Sequence, residues 1–293
     1  MIRGYSAEQI RAAEEPHLRA GEPLMARAAA GLADVIRQEL DAGVGGGARV
    51  GRDARAGGGA RASEESRAGV DARARALAGA RPGADPGTPP RVLVLVGSGN
   101  NGGDALFAVA QLAASGCDVA IAKLGSRVHE DGLAAALAAG ARVVGSEGST
   151  SADVLVRVVA EAGRCDVVVD GILGTGAYRS PALRGLARDA VAAVRAAVAV
   201  RPEAERPGAL VVAVDLPSGI DPDTGAVPDG VDAETGEARE GVVLPADVTV
   251  TFGAHKAGLL REPAAALAGR IVLVDIGLGL DLEDVEPLIV VEG

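Results

Sequence analysis

Aromatic residues are almost missing: the chain of 293 residues has no tryptophan, two tyrosines and two phenylalanines. Its core contacts must therefore be aliphatic. Cysteine is scarce too. Cys117 and Cys165 stand alone, which supplies no disulfide framework and fits a reducing, cytoplasmic setting. Histidine occurs only at positions 17, 129 and 255, with no metal-ligand spacing, so a zinc site is not expected. Positive charge is the minority, with 29 Lys and Arg against 40 Asp and Glu and a net charge of −11. That balance argues against nucleic acid as the main partner. No apolar run is long enough to span a bilayer, and the polar start MIRGYSAEQIRAAEE reads as a helix rather than a signal peptide.

What the chain has is alanine, valine and leucine in quantity, 48% apolar residues overall, and 42 glycines. The stretch that organises it is RVLVLVGSGNNGGDALFAVA, residues 91–110. Residues 92–96 are an apolar β-branched run, the pattern of a buried parallel strand. The run stops at Gly97-Ser98-Gly99-Asn100-Asn101-Gly102-Gly103-Asp104, and Ala105, Leu106, Val109 and Leu112 then recur at helical spacing. Strand, glycine turn, helix is an arrangement that lets backbone approach a phosphate at a helix N-terminus. A bare βα turn needs one capping residue, whereas this one packs two Asn and an Asp among its glycines.

Before that stretch, Ser6 and Gln9 have capping-box spacing. Pro16 is expected to end or interrupt the helix. Leu24, Met25, Ala28, Leu32, Val35 and Ile36 make an amphipathic stripe to about Leu40. Residues 43–90 differ in kind. They are Gly, Ala and Arg with scattered acids, eight arginines against four carboxylates between 49 and 81. This is expected to be a low-complexity, disordered insertion.

After the glycine turn, strands are expected at 119–124, 142–144, 166–169, 210–214, 248–252 and 271–274. Helices are expected at 132–139, 153–162 and 183–200. This alternation implies an α/β fold with a mostly parallel sheet covered on both faces. A single domain over 1–280 is expected, with 281–293 as a tail or linker.

Two further strands end like the first. VVVD at 167–170 runs into Gly171-Ile172-Leu173-Gly174-Thr175-Gly176, and VVAVD at 211–215 into Leu216-Pro217-Ser218-Gly219-Ile220-Asp221. Ligands of open parallel sheets sit beyond the strands' carboxyl ends, so all three clusters should face one crevice. Carboxylates and amide oxygens without His or Cys suit a hard cation, monovalent or magnesium, held by Asn101, Asp170 and Ser218. The strand VAIAKL at 119–124 lacks the acidic ribose partner of a dinucleotide fold, which disfavours ordinary NAD-dependent hydride transfer. No nucleophile elbow or Walker lysine is present. Lys256 follows another strand and either meets a phosphate or is solvated.

Taken together, 97–104, 170–176, 215–221 with Thr224-Gly225, 246–256 and Asp275-Ile276-Gly277 resemble the NAD(P)H-hydrate epimerase family, the YjeF N-terminal domain. The resemblance covers 5–40 and 91 to about 280. It implies a Rossmann-like three-layer αβα domain, usually a homodimer. The implied activity is an isomerase that interconverts the R and S epimers of NADHX and NADPHX, reduced cofactors hydrated at nicotinamide C6. The implied functional partner is an ADP- or ATP-dependent dehydratase that accepts only the S form, fused to the epimerase in many bacteria. The chain stops where such a fusion would continue, so it is either a fragment or a stand-alone epimerase. By position, Asn100, Asn101, Gly102, Gly103 and Asp104 resemble the substrate-binding turn. Gly174, Thr175, Gly176, Ala177, Tyr178, Arg179 and Ser180 match a second substrate loop, and Asp215 a further contact. Asn101, Asp170 and Ser218 match ligands of one potassium ion. Ser98, Ala105 and Ala26 depart from the family pattern, which often has Pro, Gly and Glu there.

Epimerisation requires hydroxyl to leave C6 and return on the other face, or an equivalent ring opening, with an acid and a base in attendance. Asp170 is expected to carry most of this, with Asp104 or Asp215 assisting, or else to act mainly through the cation. Two rival readings are a catalytically inactive scaffold of the same fold, as in mRNA-decapping proteins that resemble the family, and a phosphoryl transferase.

Overall fold

Ile2–Tyr5, read from the sequence as part of a polar helical start, form a strand, β1. Ser6 then caps α1, Ala7–Arg19. Its hydroxyl accepts from the Gln9 N–H while the Gln9 side chain accepts from the Ser6 N–H, the reciprocal box that the spacing predicts. Pro16 does not break this helix. Pro16 and Ala12 both lie on the exposed side, so water can satisfy the Ala12 carbonyl that proline leaves without a donor. α2, Leu24–Val44, buries the predicted stripe, with Leu32 and Ile36 wholly inaccessible.

This computed structural model describes residues 1–44, 88–146, 148–177, 179–199, 208–231, 235–279 and 281–292. Nearly all of the low-complexity stretch 43–90, and Tyr178 of the second loop, lie outside the described residues.

From β2, Arg91–Val96, the chain alternates as expected: α3, Asn100–Ala114; β3, Asp118–Lys123; α4, Glu130–Ala138; β4, Arg142–Val143; α5, Ser151–Ala162; β5, Val167–Gly171; α6, Gly185–Ala199; β6, Leu210–Val214. A short hairpin, β7 Gly230–Val231 and β8 Ala238–Arg239, precedes β9, Val248–Phe252. Then come β10, His255–Lys256; α7, Ala264–Leu267; β11, Arg270–Val274; and β12, Ile289–Val291.

Seven strands form one sheet in the order β11-β9-β6-β5-β2-β3-β4, and every pairing in it is parallel. Strand polarity and alternation sort the side chains. Val92, Val94 and Val96 join Leu32, Ile36, Leu106 and Val109 on one face, while Leu93 and Leu95 join Val158, Ala162, Val191 and Val194 on the other. Helices α2 and α3 cover the first face, α5 and α6 the second. This is the Rossmann-like three-layer αβα architecture, packed almost entirely by aliphatic side chains.

The strand order reverses between β2 and β5. From β2 the chain winds out through β3 and β4, and from β5 it winds the other way through β6, β9 and β11. Such a switch point opens a crevice at the carboxyl ends of the strands. Val96 of β2 is in register with Gly171 of β5, so both glycine loops start at the mouth of that crevice.

A second sheet, β10-β1-β12, ties the two chain ends to the site. β1 is parallel to β10 and antiparallel to β12. The tail after Asp281 is therefore docked rather than a free linker. Its alternation of acidic and apolar residues puts Leu282 into the core, where the Leu282 carbonyl accepts from the Tyr5 hydroxyl at 3.2 Å. Among the described residues no helix is long and apolar enough to cross a membrane.

Candidate active site

The exits of β2 and β5 run in contact. The Gly97 N–H donates to the Gly171 carbonyl at 3.2 Å, and a Cβ at Gly97 would lie 1.9 Å from the Ile172 carbonyl oxygen. Only glycine fits there. The turn leads straight into α3, whose N-cap, Gly99, offers no side-chain cap. The first N–H groups of α3 are therefore left for a ligand, at the positive end of its dipole.

Over this turn lies a cavity of about 580 Å³. Asn100, Asn101 and Asp104 of the first loop line it, with Gly174, Thr175, Gly176, Ala177 and Ser180 of the second, and Asp215 after β6. The structure thus gathers nine of the expected positions around one space. Gly102 and Gly103 are buried inside the first turn of α3, where a Cβ at Gly102 would strike the Gly97 carbonyl at 2.5 Å. They shape the turn and do not line the cavity. Arg179 is exposed and stands off it.

Asp170 and Ser218 are also off the cavity, completely buried beneath it. Both carboxylate oxygens of Asp170 are engaged: Oδ2 accepts the Ser218 N–H at 2.8 Å, and Oδ1 accepts the Ser218 hydroxyl at 2.6 Å and the Ile172 N–H at 3.4 Å. Burial pushes the Asp170 carboxyl above its ordinary range, against the pull of these donors. No cationic side chain pairs with it among the described residues. The expectation that Asp170 handles the substrate's proton therefore meets a geometry without access. The sequence signal, an Asp ending a strand, cannot tell a carboxylate at the mouth from one a turn below it.

Asn101 connects the two levels. Its side chain is buried, and its Nδ2 has no hydrogen-bond partner among the described residues. A Cβ at Gly174 would lie 2.9 Å from Asn101 Oδ1, so the second loop rests directly on this amide.

The charged residues lining the cavity are Arg11, Glu14, Asp104, Arg184, Asp215 and Lys256. Asp215 sits at φ 68°, left-handed backbone that Asp tolerates but that marks a constrained position. Lys256 Nζ forms an ion pair with Asp215 Oδ1 and donates to the Phe252 carbonyl at 2.8 Å. At 1% exposure Lys256 is not the solvated lysine that the sequence leaves open. Asp215 Oδ2 accepts the Thr175 N–H at 3.3 Å, which ties the second loop to this pair.

Asp104 differs from both other Asp residues: its carboxyl has no hydrogen-bond donor among the described residues. Burial pushes it well above the ordinary carboxylate range, the charges of Asp215 and Glu14 push the same way, and Lys256 opposes them. The Glu14 carboxyl is likewise raised, by burial first and by Asp215, against Lys256 and Arg11.

Glu14 and Arg11 are the residues that sequence reasoning missed. The signal was present: Glu14 falls on the same stripe of α1 as the buried Ala7 and Ile10, seven and four residues back. An acid on an inward stripe points to a site.

The chain matches the family model described as "YjeF-related protein N-terminus" over residues 21–258. It is 44% identical over 288 residues to an NAD(P)H-hydrate epimerase of Clavibacter michiganensis, covering 98% of this chain and 94% of that one. It is 39% identical to an NAD(P)H-hydrate epimerase of Microbacterium testaceum, covering 98% and 84%. A bifunctional NAD(P)H-hydrate repair enzyme of Mycobacterium tuberculosis is 37% identical over 96% of this chain and 43% of its own length. The crystal structure of the yeast protein ynu0 (YNL200c) superposes with a TM-score of 0.58 at 16% identity, covering 90% of this chain and 86% of that one, a likeness of fold.

Proposed function

This chain belongs to the YjeF-related N-terminal family, and we infer that it is an NAD(P)H-hydrate epimerase whose chemistry is carried by the cavity over the glycine turn. The observation that carries this reading is the placement of Asp104 on the cavity wall. An undonated carboxyl, raised by burial and by neighbouring negative charge, faces the cavity beside a fixed Asp215–Lys256 pair. A carboxyl so placed can serve as a general acid to a bound substrate.

The substrate would be the hydrated nicotinamide of NADHX or NADPHX. Its diphosphate suits the N-terminus of α3, which no side chain caps. The apolar wall from Leu24, Met25, Ile172 and Ile276 would exclude water from the ring. Asp104 gives its proton to the C6 hydroxyl, the C–O bond breaks and water leaves with the bonding pair. The ring nitrogen's lone pair forms the C=N bond of an iminium. Water then adds to the other face of C6 and yields a proton to a carboxylate.

Potassium is proposed with it. The donors around Asp170, Asn101 and Ser218 are hard oxygens, and a buried carboxylate without a cationic partner is costly unless neutralised. Asn101, Asp170 and Ser218 would hold the ion, which supplies the missing positive charge beneath the second loop. Asp170 then serves as a ligand rather than as the proton carrier. A homodimer, a cytoplasmic location and an S-specific dehydratase as functional partner complete the reading; Cys117 and Cys165 form no disulfide among the described residues, in keeping with a reducing compartment.

The test uses the purified chain, potassium and the isolated R epimer, with the two epimers separated by chromatography over time. Approach to the R/S equilibrium well above the spontaneous rate is the expected result. An unaltered rate from folded protein, with substrate bound, would favour the scaffold reading instead.

A further inference from the structure

Resting on the epimerase reading, we propose that Glu14 is the second proton-transfer residue, the partner that lets Asp104 work on a carbon whose configuration must invert. Inversion by loss and return of water needs a donor for the departing oxygen and an acceptor for the arriving one, reaching C6 from different sides. Asp104 and Asp215 both come from the carboxyl ends of sheet strands or the helix that follows. Glu14 comes from α1, an N-terminal element outside the main sheet, and lines the same cavity.

Three observations place it there for use. Its carboxyl has no hydrogen-bond partner among the described residues, unlike Asp170, whose oxygens are all engaged. The helix that carries it is fixed at the start, where the Ala7 N–H donates to Asp223 at 2.7 Å and the Ser6 box is closed. β1, immediately before that helix, pairs with β10, so Tyr5 is in register with Lys256 and the wall holding Glu14 is tied to the Asp215–Lys256 pair.

The step balances. In one direction Asp104 gives a proton to the leaving hydroxyl, and Glu14 takes one from the entering water. The groups end with their protons exchanged, ready for the reverse epimer; no oxidant or reductant is involved. The charged groups facing Glu14 are Arg11 on its own helix, Asp104 on α3, Asp215 after β6 and Lys256 on β10. Glu14 must be ionised and Asp104 protonated, so the rate should rise as pH passes the Glu14 value and fall as it passes that of Asp104.

Glu14→Gln, Glu14→Asp and wild type would be compared for kcat, KM and pH profile on the R epimer, with thermal melting as the check of fold. Glu14→Gln should lose about 10²–10⁴-fold in kcat with KM little changed. Its profile should lack the acid limb, and its alkaline limb should move to lower pH, because the Glu14 charge helps raise Asp104. Glu14→Asp should restore part of the rate. A folded Glu14→Gln with wild-type kcat and both limbs in place would overturn the proposal while leaving the epimerase reading intact. A wild-type chain without epimerase activity would remove the reading itself.

Discussion

Lys256 Nζ is joined to Asp215 Oδ1 at the floor of the cavity, with the lysine at 1% and the aspartate at 6% exposure. The pair links three parts of the chain. Asp215 ends β6 on a left-handed backbone, Lys256 lies on the strand that carries β1, and the Thr175 N–H of the second loop donates to the other aspartate oxygen.

Removing one partner leaves the other charge buried and unpaired. Lys256→Met should therefore cost about 3–5 kcal/mol of stability. Lys256→Met with Asp215→Asn should cost less than the two single changes added together. Urea unfolding of the four proteins reads both quantities; strict additivity would show that the pair contributes no coupling.

The glycine turn makes a sharper steric demand. Gly97→Ala would force a Cβ to within 1.9 Å of the Ile172 carbonyl, backbone against backbone. The β2 and β5 exits must then part, at about 1–3 kcal/mol, and the seat for the diphosphate is lost with them. A raised KM along with a lowered unfolding midpoint is expected. Wild-type KM from this variant would place the ligand elsewhere.

Potassium should stabilise the folded chain through Asp170. At ten times its dissociation constant a single bound ion adds about 1.4 kcal/mol, seen as a Tm rise of about 3–5 °C. Potassium chloride and choline chloride at equal ionic strength separate binding from screening. Asp170→Asn should abolish the difference; an equal rise in both salts, or one that survives this substitution, would count against the site.

The docked tail carries its own pH dependence. His17 Nδ1 meets Glu22 Oε1 and Nε2 meets Asp281 Oδ2, each at 2.9 Å, which raises the imidazole above its ordinary value. His17 also draws Glu22 below its usual value, helped by Arg27. A raised histidine contributes stability that is present below its unfolded value and lost as pH rises through the folded one. The lowered Glu22 contributes stability present above its unfolded value and lost as pH falls through the folded one. The tail should be held best between those limits, in mildly acidic solution. Hydrogen exchange of residues 281–292 across pH reads this directly, and His17→Gln should flatten the profile.

Much of this architecture is legible in the residues. Val92–Val96 and the glycines after it specify strand, turn and helix locally, and three strands that end in polar residues and glycine point to one crevice. What is not legible depends on partners distant in sequence. β1 and β12 are three or four residues long and become strands only by pairing with each other and with β10. Lys256 looks solvated until the fold brings Asp215 to it. Asp170 lies near the end of β5 and Asp104 in the first turns of α3, and only the packing shows that the first is sealed beneath the cavity while the second lines it. Glu14 is one of several acids in α1, and only the packing of the inward stripe brings it to the cavity.

Epimerisation of hydrated nicotinamide in this cavity should run through Asp104. It is tested most directly by supplying the R epimer of NADHX to an S-specific dehydratase with its nucleotide and potassium, and following NADH absorbance with wild-type chain, with Asp104→Asn, and with neither. Wild type should recover NADH far above the spontaneous rate, and a folded Asp104→Asn should lose most of that gain. No acceleration by folded wild type, or full acceleration by Asp104→Asn, would contradict it.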